Sequence, residues 1–181
     1  MESVYIVVIV IIVIFILGVI SYILTYNRIQ RNVIRINKAE SEIDECLRKK
    51  YDILIQIETI INDNTDLKQN NFKDFKGDSI KISSFDADRK LSSIEDTFNK
   101  IRLDYDNELN IDSYNSLSAD LKIENEKLDA SKYYYNKFTT KLNMIIKRFP
   151  SNIVARIHGI NEHLYFDNKN MSDDDIFDFK F

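Results

Sequence analysis

The sequence predicts an all-α protein, with an N-terminal transmembrane helix continuous with an antiparallel bundle of three long soluble helices and a short C-terminal helix. Three observations carry this expectation. Val4 to Leu24 contains no charged side chain. Beyond it, apolar residues recur at alternating steps of three and four, the period of a helix with one buried stripe. Three glycines and one proline in 181 residues are too few for a fold rich in turns or phosphate-cradling loops.

The first element reads VYIVVIVIIVIFILGVISYIL. About 20 apolar residues suffice to cross a hydrocarbon core. Leaving such a helix in water would cost about 25 cal/mol for each Å² of apolar surface. A cleaved signal peptide needs a basic leader, a shorter apolar core and a small-residue cleavage site. Here Glu2 and Ser3 precede the segment and Thr25-Tyr26-Asn27 follow it, so a retained anchor is expected. Arg28, Arg31, Arg35 and Lys38 form a basic collar just past its C-terminal end, with no acid before Glu40. Basic flanks stay cytoplasmic, which places the N-terminus outside and the bulk of the chain inside the cell. The expected organisation is an anchor over 1–26, a cytoplasmic bundle over 27–166 and an acidic, aromatic tail over 167–181.

From Asn27 to about Asn62 the stripe is Ile29, Val33, Ile36, Ile43, Leu47, Leu54, Ile57 and Ile61. Glu40 and Lys50 occupy two slots of the register, with Ala39 and Tyr51 beside them to close the seam. Nothing near Leu24 breaks a helix, so anchor and first soluble helix should be continuous from Val4 to Asn62, about 88 Å at 1.5 Å per residue. Asp44 with Arg48 and Glu45 with Lys49 are spaced to pair along its exposed side. Between Asp63 and Ser84 the pattern fails. That stretch reads as a long connection whose Phe72, Phe75, Ile80 and Ile82 anchor it to the bundle.

Periodicity returns with Phe85, Leu91, Ile94, Phe98, Ile101 and Tyr105, a second helix capped by Ser84 or Asp86 and ending near Leu109. After a turn at Asn110 to Asp112, the third helix carries Tyr114, Leu117, Leu121, Leu128, Tyr135, Phe138, Leu142, Ile145 and Phe149, and Pro150 stops it. Ser151 to Phe166 can form a further short helix, capped by Ser151 or Asn152, with Ile153, Val154, Ile157 and Ile160 apolar. The tail ends in Ile176, Phe177, Phe179 and Phe181. Its aromatics suggest a docking segment, with a frayed terminus the plainer alternative.

The chemistry-bearing residues do not assemble into a catalytic pattern. His158, Glu162 and His163 are the best metal candidates, but histidines five positions apart do not fall on one helical face. Asp173-Asp174-Asp175 lacks the spacing of a calcium loop. A single cysteine, Cys46, excludes an internal disulfide and a thiolate cluster. Asp44 and Glu45 beside it should raise its pKa rather than activate it. No phosphate-loop, dinucleotide or nucleophile-elbow motif occurs. A formal net charge of −4 offers no case for nucleic acid. The run Tyr133-Tyr134-Tyr135 wraps most of the way round a helix, so at least one ring must face solvent or a partner.

Tyr135-Asn136, Phe149-Pro150-Ser151-Asn152, Ala155, Gly159 and Tyr165-Phe166 follow a spacing that resembles the LemA family. Tyr26-Asn27, Asn32, Ala39, Ile43-Asp44, Leu47, Arg48-Lys49-Lys50 and Asp52 resemble its N-terminal pattern. The chain departs from it at Ile55, where the family usually has proline, and at Tyr105 to Leu109, which lacks the proline of a YP-x-L motif. From Asn62 onward a polar stretch replaces the family's lysine, glycine and tyrosine. The resemblance implies a membrane-anchored helical bundle with no established catalytic activity.

The function expected is that of a non-enzymatic interaction or scaffold module at the cell membrane, with no cofactor and no resident metal. Its partners would be the bilayer through residues 4–24, anionic headgroups near Arg28 to Lys38, and a protein contacting Tyr133, Tyr134, Phe177, Phe179 and Phe181. A membrane-tethered ligand or metal sensor, and a self-associating structural protein of the envelope, are the alternatives.

Overall fold

The structure is a computed structural model that describes residues 2–73 and 83–167. Its elements are all helices: α1 (Glu2–Asn64), α2 (Ser84–Asp104), α3 (Asp106–Leu109), α4 (Asp112–Lys147) and α5 (Ser151–Ile157). The expected continuity of anchor and first soluble helix is present, since α1 runs unbroken for 63 residues. Tail residues Phe177, Phe179 and Phe181, the run Asp173 to Asp175, and Phe75, Ile80 and Ile82 lie outside the described residues.

The chain divides into two compact units, at Lys38–Ala39 and Tyr134–Tyr135, and α1 and α4 contribute to both. In the first unit Ile29 and Ile36 of α1 pack with Phe138, Leu142, Ile145 and Ile146 of α4 and with Val154 and Ala155 of α5. Arg35 meets Phe138 while Ser21 and Thr25 lie beside Phe149 and Pro150, so α4 runs antiparallel to α1 here. Polar stitches hold the segment after α5. Asn143 donates to the His163 carbonyl at 2.9 Å and accepts from the His163 amide at 3.0 Å. The Tyr135 hydroxyl donates to the Leu164 carbonyl at 3.2 Å.

The second unit is built on the remainder of the seam. Ile43, Leu47, Leu54, Ile57 and Ile61 are buried with Leu91, Ile94, Phe98 and Ile101 of α2 and with Tyr114, Leu121 and Leu128 of α4. Phe72 is buried as well, edge-on to Tyr51 with ring centroids 5.2 Å apart. Lys50 departs from the expectation that its neighbour would close the seam. Lys50 itself is buried, paired with Glu95 at 2.7 Å and bonded to the Ser92 hydroxyl at 3.2 Å. Glu95 in turn accepts from Asn125 at 2.7 Å, so one carboxylate ties α1, α2 and α4 together. On the exposed side Glu45 and Lys49 pair as spaced, at 2.7 Å. Asp44 does not pair with Arg48 through its carboxylate, which accepts from the Ser84 hydroxyl, while Arg48 reaches the Asp44 carbonyl.

Three helix boundaries differ from the periodic reading. The cap of α2 is Ser83, whose hydroxyl accepts from the Asp86 amide at 3.1 Å and donates to the Asp86 carboxylate at 2.7 Å. The stretch to Leu109 is not one helix, because Tyr105 leaves helical geometry (φ −117°, ψ 44°) and α3 restarts after it. The last helix is short. Pro150 takes its cap position without a side-chain cap bond, and Ser151 and Asn152 are its first residues rather than its caps. It stops at Ile157, where Gly159 adopts φ +64°, a left-handed conformation that side-chain-bearing residues resist. A further consequence is that Phe149, read as the last seam residue, falls beyond α4 and is 79% exposed.

Candidate functional site

Arg28, Arg31 and Arg35 are spaced i, i+3, i+7, so α1 presents them on one face. Lys141 lies on α4 and Arg148 directly follows its last residue, Lys147. Antiparallel packing of the two helices brings all five cations to one cleft of ≈ 580 Å³. Ser21 and Thr25 of α1 and Phe149, Pro150 and Ser151 complete one end of it, and among the described residues no carboxylate lines it.

The lining is held from below. Asn32, buried on α1, donates to the Arg28 carbonyl at 2.8 Å, and Arg31 donates to the Asn27 carbonyl at 3.3 Å. The Arg35 guanidinium lies 4.8 Å from the Phe138 ring centroid and the Lys141 ammonium 5.1 Å from the same ring. Cations in contact with a ring face keep their position while leaving N–H donors available. Among the described residues none of the five forms an ion pair with a carboxylate.

Three of the four collar residues are thus brought together, and Lys38 is not part of the lining. Lys141 and Arg148 were missed by sequence reasoning, which took the collar as a property of one helix. Their place near the end of a helix that folds back against the collar is the signal that could have found them.

The other candidates are placed apart. His158 accepts or donates through Nε2 to the Tyr22 hydroxyl at 2.7 Å and its ring lies 4.4 Å from that of Tyr26. Glu162 pairs with Lys147 at 2.9 Å. His163 is engaged with Asn143 through its backbone. Among the described residues no three His, Cys, Asp or Glu side chains gather as a metal site. Tyr133 and Tyr134 are exposed, and Tyr135 is half-buried. Cys46 is a free, buried thiol. Burial is the main influence pushing its thiol pKa up, followed by Glu124 and more weakly by Glu45.

The architecture defines a class, an all-α bundle carrying one helix that is long and apolar enough to cross a membrane by length and composition. The chain belongs to the LemA family, whose model matches residues 39–181. No curated protein and no solved structure matches it. Several of the residues that carry the C-terminal resemblance are packing or turn residues, although Phe149 is exposed. Ala155 and Tyr165 are buried, Gly159 supplies the left-handed turn, and the Thr140 hydroxyl lies 3.3 Å from that of Tyr165. Tyr26-Asn27 and Asn32 precede the matched region.

Proposed function

We propose that the protein is a single-pass, membrane-anchored helical bundle that acts without catalysis, as an interaction module at the inner face of the cell membrane. One observation carries this reading. The most apolar 18-residue window of α1 is 0% buried within the structure, so its side chains have no protein partner to take them out of water. Phe15 is 70% exposed and Leu24 63%. A core helix of a soluble protein would pack this surface, whereas here the bilayer does so.

Orientation rests on the collar, since three arginines and Lys38 follow the apolar segment directly. The bundle then lies in the cytoplasm, with Tyr133 and Tyr134 as exposed aromatic surface for a protein partner. A cysteine placed at exposed Lys100, in a Cys46→Ser background, should react with a membrane-impermeant maleimide only after cell lysis. Labelling of intact cells would reverse the orientation.

A further inference from the structure

Resting on the anchored reading above, we propose that the cleft between α1 and α4 binds the headgroup of a lipid carrying two phosphates, taken from the leaflet in which residues 4–24 end. Charge is the first argument. Arg28, Arg31, Arg35, Lys141 and Arg148 line one cleft, and among the described residues no carboxylate joins them. Like charges gathered in this way raise the local potential and attract an anion. Four of the five are arginines, whose planar fork matches phosphate oxygens two at a time.

Size is the second. A cleft of ≈ 580 Å³ is far larger than one phosphate needs, and a single phosphate cannot reach all five cations along it. Two phosphates joined by a short linker suit the volume better and let each phosphate accept from two or three of the cations.

Depth selects a lipid over a soluble diphosphate. Ser21 lines the cleft, and His158 at the end of α5 bonds to Tyr22, so the α4–α5 turn sits level with the last residues of the apolar segment. Beside the cleft Phe149, Ile153 and Ile157, four apart, are 79%, 51% and 64% exposed. An apolar edge next to a cationic face is how interfacial elements sit, with the edge at the acyl boundary and the cations among headgroups. The cations also come from both helices, so this is a site with two walls and not a diffuse collar.

The test reconstitutes the full chain into phosphatidylcholine vesicles containing either cardiolipin or phosphatidylglycerol at matched total charge. Flotation of the vesicles reports the anchor. Lipid retained per chain after detergent extraction and gel filtration, titrated against added cardiolipin, reports the cleft. The wild type should retain a single cardiolipin in preference to phosphatidylglycerol, undisplaced by sodium diphosphate. Lys141→Gln/Arg148→Gln should weaken retention roughly 30-fold, at the strength of two basic residues near an anionic surface. Arg28→Gln/Arg31→Gln should do the same from the other wall, which keeps the test decisive if the first variant misfolds. Lys100→Gln/Lys122→Gln should change nothing. Flotation with equal retention by both cleft variants, equal retention of phosphatidylglycerol, or displacement by diphosphate overturns the lipid site and leaves the anchor standing. Failure to float overturns the anchor, and the site with it.

Discussion

Lys50 sits at a seam position where the helical period calls for an apolar side chain, and it is only 3% exposed. Burying an ammonium is costly unless a partner offsets it, and Glu95 is that partner. Lys50→Ala would leave the Glu95 carboxylate without its cation, with only the Asn125 amide still donating to it. We expect it to lower unfolding stability by about 3 kcal/mol, while Lys50→Met with Glu95→Leu should stay within about 1 kcal/mol of the wild type. Chemical denaturation of the full chain in detergent measures both. The period identified Lys50 as an irregularity but not its resolution, because Glu95 is distant in sequence and no spacing links them. The cleft was half legible for the same reason. Three arginines on one helix are visible in the sequence, whereas the opposing Lys141 and Arg148 require knowing how α4 and the turn after it lie against α1.

At the scale of elements, periodicity located the helices well and their ends less well. Ile29, Ile36, Ile43, Leu47, Leu54, Ile57 and Ile61 are all buried as the seam required. Ends are decided by single hydrogen bonds and backbone angles that period does not encode. Ser83 and Ser84 are equivalent to a pattern reader, but only the Ser83 hydroxyl accepts from an orphan amide of the first turn. Ser83→Ala should therefore cost about 1 kcal/mol in the same denaturation assay and Ser83→Gly only a few tenths. Ser84→Ala removes a bond to Asp44 instead and leaves the cap intact. Phe149 shows the reverse error, since it keeps the period of α4 although the helix has ended at Lys147. Its exposure follows from that ending, and it is this exposed ring that adjoins the cleft.

At the scale of the whole molecule, composition was the most informative feature. A run with no charged residue, followed by seams with few glycines, implied both an anchor and a helical bundle before any contact was known. The apolar window of α1 remains unburied, and the family match covers residues 39–181, beyond that window. An anchored bundle therefore requires that residues 4–24 reside in a bilayer. The most direct measurement is alkaline carbonate extraction of membranes from cells expressing the chain, with peptide mapping of the recovered protein. We predict that the protein stays in the membrane pellet and that its peptides include residues 4–24. Release into the wash, or recovery of a chain that begins after Leu24, would contradict the account.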